Sequence, residues 1–209
     1  METSDNIESI DETKLFQTIW TKPTETLDYI LRNCPKKHLN ALLFVGGVAN
    51  AINRSSGKAD KTALSANAKL IIAIVAGGFV GMLMYNIGAY LLSWTGRWLK
   101  GTADKDQFLT ITAWSLVPSI GTLFLFVLQT IFVGNPMNPV VVSELGSMAE
   151  IIYFLILFLD FVLVIWSVVV LVKGIMIIQG FSAGKAFFNA MLPVLLFLVP
   201  IIVILLLSR

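Results

Sequence analysis

The sequence predicts an all-α fold, a polytopic membrane helical bundle of five transmembrane helices, or four if the first apolar stretch is interfacial. Three observations predict it. Hydrophobic residues make up 56% of the 209 and charged residues only 13%, about half the roughly 25% charge of soluble domains. Mean hydropathy is +0.82. Five apolar stretches recur along the chain, at Leu39–Ile52, Leu70–Ser93, Ile111–Val133, Ile151–Val172 and Ala190–Leu207. These proportions exclude a soluble enzyme. A net charge of only +2 gives no reason to expect a nucleic-acid partner. One Cys (Cys34) excludes an internal disulfide, and one His (His38) excludes a multi-histidine metal site. No cofactor is expected.

Residues 1–38 read as a polar cytoplasmic tail, and 39–209 as the transmembrane domain. The tail holds seven of the 13 acids. It has no apolar run of signal-peptide length, and Glu2 stands where myristoylation needs Gly. Ile7, Ile10, Leu15, Phe16, Ile19 and Trp20 form an imperfect apolar stripe that Pro23 interrupts. Leu27, Ile30, Leu31 and Cys34 then fall at i, i+3, i+4 and i+7, an amphipathic helix that Thr24 could cap and Pro35 ends. Such a helix beside a membrane segment is expected in the interface.

A span needs about 20 residues to cross a hydrocarbon core of about 30 Å. The last four stretches qualify. Leu39–Ile52 reaches roughly 21 Å, so by length it is either a short span or an interfacial segment. Lys and Arg counts place the N-terminus in the cytoplasm: that side carries ten and the other side five, whether there are five spans or four. Tryptophans 94, 98, 114 and 166 cluster towards the face that carries loops 94–110 and 173–187, a one-sided interfacial girdle. With Lys100 and Lys185, Trp94, Trp98 and Trp114 are the candidate interaction residues of that face.

Asp160 is the sharpest single feature, tenth in the stretch Ile151–Val172 and therefore near mid-bilayer. A central Asp costs about 2.5–3.5 kcal/mol on translocon scales, so something must offset it. Tyr153, Asp160 and Ser167 are seven apart on one helix face, which Gly174 continues. In the stretch Ile111–Val133, Thr112, Ser115, Ser119, Thr122 and Gln129 also share a face, with Thr122 level with Asp160. The two faces are expected to meet. Two readings follow: interhelical hydrogen bonds that hold the packing, or a protonatable or cation-binding site in a small transporter or channel. No Lys, Arg or His lies at comparable depth to complete a relay.

Ala73, Gly77, Gly81 and Gly88 line one side of Leu70–Ser93. Gly77 and Gly81 form a small-xxx-small pair that lets two helices approach closely, within the chain or between two copies. Pro118, Pro193 and Pro200 are expected to kink their helices. Asp104 and Asp106 read as a solvated turn. No phosphate-binding loop is present, because Gly96, Lys100 and Gly101 lack its spacing.

Four segments in this order resemble the Yip (Ypt-interacting protein) domain family in its bacterial form. They are Ile19-Trp-Thr-Lys-Pro23-Thr-Glu-Thr-Leu27-Asp-Tyr-Ile30, Trp94-Thr-Gly-Arg-Trp98-Leu-Lys100-Gly101-Thr, Ala113-Trp-Ser-Leu-Val-Pro118, and Ile165-Trp-Ser167 with Gly174 and Phe181-Ser-Ala-Gly-Lys185-Ala-Phe. The resemblance covers about residues 19–207. It implies five transmembrane helices in the cytoplasmic membrane, with the N-terminus inside and the C-terminus outside. In eukaryotes the family is tied to Rab-type GTPases and to vesicle formation between endoplasmic reticulum and Golgi. This chain lacks the Asp-Leu-Tyr-Gly-Pro motif of that branch and its tail is short, so Rab binding does not carry over. The function expected is that of an interaction or membrane-organising protein with no covalent chemistry, its partners the bilayer and proteins at the cytoplasmic face.

Overall fold

The computed structural model describes residues 11–56, 64–138 and 142–207. Ile7, Ile10, Lys58, Lys61 and Arg209 lie outside them. All regular structure among the described residues is helical. A 3-10 turn (Glu12–Lys14) leads into α1 (Leu15–Thr21) and α2 (Pro23–Asn33), followed by α3 (Leu39–Ser55) and α4 (Ala66–Trp98). Then come α5 (Lys105–Ile120), α6 (Thr122–Phe132), α7 (Ser147–Gln179) and α8 (Ala183–Leu207).

The helix boundaries have local chemical causes. Pro23 is the first residue of α2, where its missing N–H costs nothing. Thr24 therefore lies inside the helix, and its expected capping role is corrected. The Ser65 hydroxyl accepts from the Ala68 N–H at the start of α4. Asp104 is no mere solvated turn. It caps α5 by accepting from the Gln107 N–H at 2.9 Å, while the Gln107 side chain accepts from the Asp104 N–H at 3.1 Å, a reciprocal capping box. Gly180 ends α7 with φ +63°, a left-handed conformation that glycine adopts without strain.

The expected single span Ile111–Val133 is two helices. Pro118 has no N–H to give to the helix, and three residues later the Gly121 N–H bonds the Pro118 carbonyl at 2.9 Å. The chain breaks there and restarts at Thr122. α8, by contrast, stays helical through Pro193 and Pro200.

Among the described residues, three helical segments are long and apolar enough to cross a bilayer: Ala66–Trp98, Lys105–Phe132 and Ser147–Gln179. α3 has 17 residues, because it runs past Ile52 to Ser55, and α8 has 25. α5 and α6 together form the central rod, with half of their most apolar stretch buried, against 11% for α4 and 17% for α7. Through the middle of α4 and α7 the exposed side chains are apolar, as at Phe79, Val80, Leu83, Phe154, Phe158 and Phe161. Exposed apolar surface on this scale is stable only in lipid. The protein is an integral, multi-pass membrane bundle.

Burial is lopsided. Leu15, Ile19, Leu27 and Ile30 join Phe108, Ile111, Trp114 and Ile175 in one cluster at the end of the bundle that carries α1 and α2. The amphipathic faces of α1 and α2 are thus spent on protein, since Leu27 and Ile30 are fully buried. Apolar residues of 11–38 belong to the same core as the spans, so no boundary at residue 38 is visible in the packing. Lys37 pairs with Glu12 at 2.6 Å and ties the end of this segment to its beginning. Burial also pushes the Cys34 thiol above its ordinary pKa, assisted by the nearby Glu12 carboxylate. Cys34 should therefore react with maleimide at pH 7.5 more slowly than free cysteine, and gain on it as pH rises. Labelling against a glutathione standard measures this.

Candidate functional site

The polar faces of α5–α6 and α7 meet along an antiparallel seam. At one end, Gly174 admits Ile111 so closely that a Cβ there would stand 2.8 Å from the Ile111 Cβ. One helical repeat away, the Ser119 and Ser167 hydroxyls are 2.6 Å apart, and the Ser119 N–H donates to Ser167 Oγ at 3.0 Å. Further along, Asp160 and Tyr153 face Thr122 and Gln129 across a cavity of about 120 Å³.

Asp160 takes its hydrogen bonds from a third helix. The Asn53 amide, near the end of α3, donates to both carboxylate oxygens at 3.1 and 3.2 Å. Thr122 lines the cavity beside Asp160 without a hydrogen bond to it. Sequence reasoning missed Asn53 because the apolar run stops at Ile52, which leaves the next residue to the loop. The signal available was Asn50 and Asn53 at helical spacing beyond Gly46 and Gly47. The other stripe residues do not reach the site. Ser115 donates to the Thr112 carbonyl of its own helix at 2.7 Å, and the buried Thr112 hydroxyl has no protein partner.

A second, larger cavity of about 390 Å³ shares Asn53, Thr122 and Asp160 with the first and is also lined by Asn50, Arg54 and Tyr85. Arg54, exposed on the last turn of α3, lines this cavity together with Asp160. Replacing Asn53 with Leu removes the one amide that serves Asp160. The loss expected is about 0.6–1.7 kcal/mol, the range for intramembrane hydrogen bonds, read by denaturation in detergent. Asn53→Asp should be worse, since it sets two carboxylates together.

The expected interaction residues divide. Trp94 and Trp98 are exposed on α4, edge to face with ring centroids 4.7 Å apart. Lys100 is exposed just beyond them in a left-handed conformation, φ +63°, and Lys185 sits 3.9 Å over the Phe181 ring. Trp114 offers no surface. It is the largest fully buried side chain, stacked on Phe16 at 5.2 Å and approached by His38 at 6.3 Å.

Two amides behind this face went unread in the sequence. Asn189 Nδ2 donates to the Leu92 carbonyl at 3.2 Å and to Thr95 Oγ1 at 3.0 Å. Gln179 Oε1 accepts from the Ala103 N–H at 3.1 Å. They tie the end of α4 to α8 and the α4–α5 loop to the end of α7. Both flank apolar runs, which is why they resemble loop residues in a linear reading. Among the described residues no cluster of His, Cys, Asp or Glu could hold a metal ion.

Lipid-facing helices, a polar seam and a packed terminal layer define an α-helical multi-pass membrane protein. Residues 17–204 match the model of the Yip1 domain. The chain belongs to the Yip1 domain family. No curated protein and no solved structure matches it.

Proposed function

We propose that this chain is a five-span membrane protein that works by contact, organising neighbouring proteins or lipids at its N-terminal face, and that it does no covalent chemistry. α3 and α8 complete the five crossings, with the N-terminus in the cytoplasm of a bacterial cell and the C-terminus outside.

One observation carries the reading: the larger packed core lies at the end of the bundle that carries α1 and α2, with only a smaller cluster at Val48, Ile52, Ala73 and Met137 further along. α4 and α7 have 33 residues each, about 50 Å of helix against a hydrocarbon core of about 30 Å. Their surplus length is consolidated with α1 and α2 into a layer beyond the lipid. Two amides and a capping box stiffen it. Its outer surface presents Trp94, Trp98 and Lys100, a combination of aromatic anchors and cation suited to headgroups and to protein partners alike. A rigid platform of this kind supports recognition.

The test is in-cell photocrosslinking. A photoreactive residue at Trp98 or Lys185 should give discrete adducts, and one at the lipid-facing Phe158 only diffuse lipid labelling. Identical labelling at all three positions, with unchanged membrane morphology on deletion of the gene, would defeat the proposal.

A further inference from the structure

Arg54 and Asp160 line the same 390 Å³ cavity from opposite helices, Arg54 on the last turn of α3 and Asp160 on α7. Among the described residues no ion pair or hydrogen bond joins them. Asp160 has, among the described residues, a single donor, the Asn53 amide. Two opposite charges therefore face one space without meeting. Asp160 is half-buried on an otherwise apolar helix, where an acid is costly without a cationic partner, and Arg54 is exposed and free to turn towards a ligand.

The geometry points to a binding site for a zwitterionic lipid headgroup, phosphoethanolamine, held with its phosphate on Arg54 and its ammonium on Asp160. A guanidinium is suited to phosphate oxygens. A primary ammonium donates hydrogen bonds that a carboxylate accepts, and Ser119 and Thr122 stand on the same wall. Ala49, Leu116 and Val164 supply apolar lining for the glycerol end. The bilayer supplies the ligand at high local concentration.

Related headgroups fit less well. Phosphocholine has no N–H to give Asp160, and its trimethylammonium group calls for an aromatic cage. Tyr85 is the one aromatic side chain on this cavity, and its hydroxyl is already engaged with the Gly46 carbonyl at 3.3 Å. Phosphoglycerol would satisfy Arg54 but offers Asp160 neutral hydroxyls in place of a cation. The site lies on residues other than the exposed tryptophans and lysines proposed for docking, so each stands or falls alone.

The experiment uses the full chain, delipidated in detergent, with short-chain phosphatidylethanolamine, phosphatidylcholine, phosphatidylglycerol or free phosphoethanolamine added. Retained lipid is read by native mass spectrometry and melting temperature by scanning. Phosphatidylethanolamine should be retained about tenfold over the other two lipids and raise the melting temperature most. Arg54→Gln and Asp160→Asn should each abolish the preference, and Arg54→Lys should keep most of it. Equal retention of the three lipids, or a preference that survives both substitutions, would overturn the assignment. Binding of free phosphoethanolamine as tight as that of the lipid would overturn the lipid as ligand. If the variants fail to fold, the comparison of lipids on the unaltered chain decides alone.

Discussion

Replacing Trp114 with alanine is expected to cost about 3–5 kcal/mol, the range for emptying a large aromatic site in a packed core. Its ring is fully buried where α1 reaches α5, and Phe16 of α1 lies on it at 5.2 Å. His38, the residue before α3, approaches from the side. One side chain thus bridges the terminal segment, the start of α3 and the central rod. Its loss should release α1 as well as lower stability. Limited proteolysis within residues 11–38 should speed up in step with the fall in melting temperature. Trp98→Ala is the matched control: that ring is 52% exposed, and its removal should change stability by no more than about 0.5 kcal/mol.

Gly81→Leu should be the other severe lesion. α3 and α4 touch backbone to backbone there: a Cβ on Gly47 would lie 2.6 Å from the Gly77 carbonyl oxygen and 2.9 Å from the Gly81 Cα. A Cβ on Gly81 would run into the Gly47 backbone. Neither is the tip of a flexible side chain that could swing away, so the helices must separate. Overpacking of this kind costs about 1–3 kcal/mol or more, and here it also pulls α3, and with it Asn53, off Asp160. Gly88→Leu tests the specificity of the effect. Gly88 lies in the same small-residue stripe, yet a Cβ there meets nothing within 4 Å. Gly88→Leu should melt like the unaltered chain, while Gly81→Leu should melt far below it.

The glycine pair shows what a linear reading could and could not supply. Gly77 and Gly81 mark a close helix approach in any sequence, but the partner, Gly47, sits in a 14-residue apolar run too short to be trusted as a span. The seven-residue spacing of Tyr153, Asp160, Ser167 and Gly174 gave the α7 seam correctly, because heptad-like spacing keeps residues on one face whatever they pack against. What fills the opposite side depends on a third helix, and Asn53 and Arg54 looked like the start of a loop. The break at Gly121 was legible only as a proline kink. The burial of Trp114 was not legible at all. A tryptophan near the start of a span, towards the face that carries loops 94–110 and 173–187, reads as an interfacial anchor, and only the folding-back of α1 hides it. The same folding-back turned an apparently separate tail into part of the core.

The central claim is that lipid solvates the outer faces of these helices while one polar seam on α7 is turned inward. Nitroxide labels placed singly along α7, in a Cys34→Ser background, measure this directly through collision with oxygen, which is concentrated in lipid. Labels at Phe154, Phe158, Phe161 and Ile165 should collide often, and labels at Ser167 and Val170 rarely, with helical periodicity between the two sets. Uniform oxygen access along the helix, or high access on the Ser167 side, would contradict the account.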